Sequence, residues 1–205
     1  MASITKAALL LSLLLALACS CSPLPEHPLQ RVQRMRQALA DDATLRQEEV
    51  PLTFNNRTYT GWIAWSEGRG PAPLILTVHN YFGIKDFDRE VAAYLARTGF
   101  VGLAVDMYGE GAYENFDGPN DHGDRLALDV MNETLRDQFL IRGLLRAWLE
   151  AGRAHPSVEE AGRAAAIGYC YGGALMQDMI RDGMDVDLVV SFHVRALRTP
   201  PNQTS

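Results

Sequence analysis

From Val50 onward, short apolar runs alternate with longer stretches of amphipathic spacing. Val50 to Phe54 and Thr58 to Trp65 are rich in β-branched and aromatic residues and flank Asn55-Asn56, a pair suited to a tight turn, which predicts a β-hairpin. Leu74 to Val78 is continuously apolar, the pattern of a strand covered on both faces of a parallel sheet. A helix is predicted from about Asp86, with Phe87, Val91, Tyr94 and Leu95 as its buried stripe and Gly99 closing it. Phe100 to Val105 predicts the next buried strand, ending at Asp106, and residues 107–125 predict a polar loop. One long helix is expected from about Asn132 to Ala151, burying Ile141, Leu144, Leu145, Trp148 and Leu149. A strand at Ala164 to Ile167, a glycine-rich turn, a helix bearing Leu175, Met179 and Ile180, and a last strand at Leu188 to Phe192 complete the pattern.

This alternation after a hairpin predicts an α/β fold with a mainly parallel sheet and flanking helices. In such sheets ligands bind beyond the C-terminal ends of the strands. His79, Asp106 and Cys170 all stand at such ends, so the fold is expected to bring them to one site.

The turn after the strand at Ala164 carries Gly168, Cys170 and Gly172, a G-x-C-x-G pattern. It has the form of a nucleophile elbow, in which a strand turns sharply into a helix and presents its tip residue. A helix N-terminus favours negative charge at that tip. The alternative local reading is a buried free cysteine in a glycine-rich turn. Class I glutamine amidotransferases also use G-x-C-x-G, but they need a downstream His-x-Glu that this sequence lacks.

Composition adds a boundary at each end. Residues 1–20, with Lys6 before the apolar stretch Ala7 to Ala18, predict an export signal too short to span a bilayer. Cys19 and Cys21 each sit in an imperfect lipoprotein cleavage box, so a periplasmic or lipid-anchored protein with one of them as the lipidation candidate is expected. Residues 21–47 predict a linker and short helix, 48–193 the α/β domain, and 194–205 an unpatterned tail. Of three cysteines only Cys170 lies in the domain, where it has no disulfide partner. A formal net charge of −6 without a basic stripe argues against nucleic-acid binding. The five histidines are scattered and no metal site is predicted; Asp117, Asn120, Asp121 and Asp124 do not follow the calcium-loop spacing.

With these pieces placed, the sequence resembles the dienelactone hydrolase family of α/β-hydrolases, in an exported form. The carrying residues are Val78-His79-Asn80-Tyr81-Phe82-Gly83, Val105-Asp106-Met107-Tyr108-Gly109, Gly168-Tyr169-Cys170-Tyr171-Gly172-Gly173 and Val189-Val190-Ser191-Phe192-His193, in family order across about residues 50–193. The resemblance implies an α/β-hydrolase-like sheet and cleavage of a small-molecule ester or lactone without a cofactor. Cys170 is then the nucleophile, and the backbone N–H groups of Tyr171 and Tyr81 form the oxyanion hole. Two departures qualify it. Asn80 stands where the family has a glutamate that helps govern the thiol. The family's triad acid and histidine lie on units beyond the last strand, and the match breaks off after His193, so no triad acid or base is found and neither His193 nor Asp106 is expected to replace them. The chain as written is expected to lack the last strand–helix units and to be impaired. The alternative is an inactive exported domain with a binding role or none.

Overall fold

The computed structural model describes residues 28–112, 121–160 and 162–193. The segments holding Cys19, Cys21, the export signal, Asp117, Asn120 and the tail lie outside the described residues. The chain divides into a leading unit, Met1–Gln37, and a main unit, Ala38–Ser205. Helix α1, Pro28–Ala40, begins in the first and ends in the second.

The main unit opens with the hairpin. Strands β1 (Leu45–Phe54) and β2 (Arg57–Ser66) pair antiparallel over their whole length, from Leu45 opposite Ser66 to Phe54 opposite Arg57. The turn residues Asn55 and Asn56 have φ of 47° and 57°, the two left-handed positions of a turn whose twist matches the strands. Strand β1 starts earlier than expected, inside the stretch assigned to a linker. After Leu45, its residues Arg46 to Glu49 are exposed and polar, and β2 supplies the pairing that their composition conceals.

Next come β3 (Leu74–Val78), α2 (Asp86–Arg97), β4 (Val101–Val105), α3 (Asp121–Arg136), α4 (Gln138–Arg153), β5 (Ala164–Tyr169), α5 (Tyr171–Arg181) and β6 (Leu188–Phe192). They form one six-stranded sheet in the order β1-β2-β4-β3-β5-β6. The pairings β3–β4, β3–β5 and β5–β6 are parallel, while β2 joins β4 antiparallel. Every residue of β3 and β4 is buried, as their unbroken apolar runs require. The main core collects Ile63, Leu76, Leu103, Leu144, Trp148 and Leu175 among others.

Three expectations need correction. The buried face of α2 is Asp88, Ala92, Ala93, Leu95 and Ala96, and Phe87 is 49% exposed. The helix lays its alanines on Ala64 and Ala104 of the sheet, so small side chains, not the largest ones, mark the contact face. The expected long helix is two, and the first begins inside the stretch assigned to a loop. Asp137 separates them with non-helical φ and ψ of −99° and 83°, and its carboxylate accepts from the Leu140 N–H at 2.8 Å as an N-cap. The α4 residues expected inside are buried, but Ile180 on α5 is 61% exposed.

Candidate active site

The sheet order carries the first argument about the site. The chain passes from β3 to β4 on one side, then returns to β5 on the other, the kind of reversal beside which α/β sheets bind ligands at the strands' C-terminal ends. In register, Val78 lies opposite both Val105 and Gly168. His79, Asp106 and the turn at Cys170 therefore leave the sheet side by side.

At the turn, Cys170 has φ 54° and ψ −105°, a conformation unfavourable for any residue with a Cβ. It is half-buried and stands at the N-cap of α5. A Cβ on Gly168 would lie 2.1 Å from the Gly172 carbonyl oxygen, and one on Gly172 would lie 2.3 Å from that of Val78. The two glycines are thus where strand and helix backbones cross. The Cys170 N–H donates to the Phe192 carbonyl at 3.0 Å and the Gly172 N–H to the His79 carbonyl at 3.1 Å, tying the elbow to β6 and to the end of β3. Ser191 Oγ adds a bond to the Gly173 carbonyl at 2.7 Å. The Tyr171 N–H follows the tip as the first of α5, where no intrahelical acceptor exists.

The β3 loop is fixed by local polar contacts. Asn80 Oδ1 accepts from the Phe82 N–H at 2.8 Å, and the Gly83 N–H reaches the Asn80 carbonyl at 3.3 Å, so Asn80 shapes a turn around Tyr81. His79 is fully buried. Its Nε2 receives the Met107 backbone N–H at 3.1 Å, which can only donate, so the ring proton resides on Nδ1 and is given to the Asn80 carbonyl at 2.5 Å. Burial holds the imidazole below its ordinary pKa, against the opposing pull of Asp106 and, more weakly, Asp88.

That shift has a consequence for stability. Above the unfolded-state pKa of about 6.5 His79 is neutral in both states; below it the unfolded chain takes up a proton that the folded chain refuses. Stability is therefore expected to fall as pH drops below about 6.5, by up to about 1.4 kcal/mol per pH unit, until the folded imidazole itself titrates. Urea midpoints measured at pH 7, 6 and 5 should decline less in His79→Gln than in the unmodified chain; parallel declines would remove His79 as the cause.

Asp106 is also buried. Its carboxylate accepts from the backbone N–H groups of Tyr108 at 2.8 Å, Gly109 at 3.1 Å and Thr60 at 3.4 Å, and its carbonyl accepts Trp148 Nε1 at 2.7 Å. It braces the β4 loop against the hairpin and α4. One participant, Tyr108, is not singled out from the sequence. Tyr108 sits edge-on to His79, with ring centroids 4.8 Å apart, and donates its hydroxyl to the Tyr81 carbonyl at 3.1 Å. Its place in Val-Asp-Met-Tyr-Gly was the available signal. The Tyr171 side chain packs on both rings, its hydroxyl buried without a hydrogen-bond partner among the described residues, and burial pushes its phenol well above the usual range. On the flank, Tyr169 stacks on Phe192 at 5.1 Å and meets Phe87 at 5.4 Å, which explains why Phe87 stays at the surface. His193, with φ 51°, ends β6 in an exposed position. Among the described residues no group of three or more His, Cys, Asp or Glu could hold a metal ion.

A profile of the dienelactone hydrolase family matches residues 59–205. A carboxymethylenebutenolidase of Pseudomonas sp. (strain P51) is 38% identical over 118 residues, which is 56% of this chain and 47% of that protein. A second, from Pseudomonas putida, is 28% identical over 141 residues, covering 69% and 58%. Among solved structures, m3DLH superposes with a TM-score of 0.66 at 30% identity, covering 78% of this chain and 63% of that one. A dienelactone hydrolase-like promiscuous phosphotriesterase from metagenomic libraries also reaches 0.66, at 29% identity over 77% and 63%. The chain thus spans about half the length of these Pseudomonas enzymes.

Proposed function

Because this chain belongs to the dienelactone hydrolase family, we propose that it cleaves a small lactone or carboxylic ester through Cys170. The observation that carries the reading is the strained tip: φ 54° at a non-glycine residue, held where two glycines let the strand and helix cross. Strain of this kind persists where the surroundings impose it, and here it presents the sulfur at a helix start. In the reaction, Cys170 Sγ as thiolate bonds to the substrate carbonyl carbon and the C=O π pair moves onto oxygen. The N–H groups of Tyr171 and Tyr81 receive that charge. Collapse expels the alkoxide, which takes a proton from water, or opens a lactone ring, and leaves an acyl-thioester. Water then attacks the thioester, releasing the acid and the thiolate, and its second proton neutralises the hydroxide left when the alkoxide was protonated.

Incubation with p-nitrophenyl acetate followed by intact-mass measurement tests this. A single acetyl adduct is expected on the unmodified chain and none on Cys170→Ala. Equal labelling of both would dismiss Cys170 as the nucleophile. One observation favours a second reading, an α/β domain with a binding role only: the position that could govern the thiol is Asn80, whose side-chain oxygen is engaged with the Phe82 N–H. A chain that binds esters but never acquires the adduct would support that alternative.

A further inference from the structure

We propose that Tyr108 is a positioning residue for the oxyanion arm, holding the peptide that carries the Tyr81 N–H through its hydroxyl bond to the Tyr81 carbonyl. This rests on the reading of Cys170 as nucleophile and adds to it a residue on a different strand end.

The argument is geometric. The peptides on either side of Tyr81 are rigid planes, and only the φ and ψ of Tyr81 connect them. In the first plane the Asn80 carbonyl lies antiparallel to the Tyr81 N–H. That carbonyl is held by the His79 Nδ1–H at 2.5 Å and the Gly83 N–H at 3.3 Å. In the second plane the Tyr81 carbonyl is held by Tyr108 Oη at 3.1 Å. With both planes anchored, the direction of the Tyr81 N–H is fixed.

Both anchors lead to the same place. The His79 ring accepts the Met107 N–H at 3.1 Å, and Tyr108 is the next residue, its own N–H given to Asp106 at 2.8 Å. Tyr108 is 2% exposed, with its ring against His79 and Tyr171, so the hydroxyl has a defined position from which to donate. Burial first, then the neighbouring Cys170 and Asp106, pushes the phenol far above its usual value, which keeps it protonated as a donor throughout the working range. The β4 loop thereby sets the geometry of an N–H that the β3 loop carries.

The test uses Tyr108→Phe in the full chain, a change that removes one oxygen, and two thiol reagents. An alkyl trifluoromethyl ketone is attacked at its carbonyl carbon by Cys170 Sγ; the C=O π pair becomes an oxygen lone pair, nothing leaves, and the adduct needs the oxyanion donors. Iodoacetamide is attacked at its methylene carbon with loss of iodide, and no oxyanion forms. Tyr108→Phe is expected to weaken adduct formation, followed by fluorine NMR, about tenfold, as loosening of a site-forming group does. The alkylation rate should stay within about twofold, as should far-UV circular dichroism. Unchanged ketone affinity, or both reagents slowing in parallel, would overturn the positioning role. No adduct on the unmodified chain, or an adduct that survives Cys170→Ala, would instead defeat the nucleophile reading and the proposal with it.

Discussion

Cys170→Gly is expected to yield a chain that is more stable and catalytically inert. The φ of 54° and ψ of −105° at Cys170 cost any residue with a Cβ on the order of 1–3 kcal/mol, and glycine escapes most of that. Against it stands the greater freedom that glycine gives the unfolded chain, worth roughly 0.5–1 kcal/mol. The net gain is then about 1 kcal/mol, seen as a higher urea midpoint at an unchanged slope. Hydrolysis of p-nitrophenyl acetate should fall to the buffer rate, since the proposed nucleophile is gone. Cys170→Ala separates the two effects: it should be equally inactive without the stability gain. If the glycine variant unfolds at lower urea than the alanine variant, the tip stores no strain.

Gly172→Ala should do the opposite and destabilise the fold severely. The added methyl would meet the Val78 carbonyl oxygen at 2.3 Å and that of His79 at 2.7 Å. Both are backbone atoms of the central strand end, which cannot swing aside as a side chain would. Gly168→Ala meets the Gly172 carbonyl at 2.1 Å and faces the same obstacle. Each is expected to cost at least about 3 kcal/mol, at the upper end of overpacking effects. Gly152→Ala provides the comparison, because its methyl would meet Leu74 Cδ2 at 2.7 Å and Leu103 Cδ2 at 3.0 Å, the movable ends of side chains. That variant should lose roughly 1–2 kcal/mol. Chemical denaturation of the three variants checks the order; equal losses would mean that the crossing at the elbow can relax.

Where side-chain type alone decides an element, the sequence already shows it. The continuous runs at Leu74–Val78 and Val101–Val105 are the two strands buried along their full length, and Asn55-Asn56 adopts the left-handed pair that a tight hairpin demands. The glycine spacing around Cys170 likewise announces the crossing. The rest depends on neighbours that no local pattern encodes. Helix α2 buries alanines because the sheet opposite offers Ala64 and Ala104, a fact invisible from the helix itself. The break at Asp137 uses neither glycine nor proline; a capping carboxylate makes it. In the site, the decisive acceptors are the carbonyls of His79, Asn80, Tyr81 and Phe192, and a backbone oxygen has no signature in the sequence.

The sheet order also dictates when Cys170 can become organised. Strand β3 is paired on one side with β4, its near neighbour in the chain, and on the other with β5, which is synthesised much later. The elbow takes its anchoring carbonyls from His79, on the early part, and Phe192, at the end of β6. During translation the hairpin and the β3–α2–β4 unit have all their own residues available while the thiol has not yet been made. Long-range parallel pairing is slow to form because the intervening chain must first be closed into a loop. The Cys170 turn is therefore expected among the last features to mature, because the Cys170 N–H finds its acceptor on Phe192 only once β6 has docked beside β5.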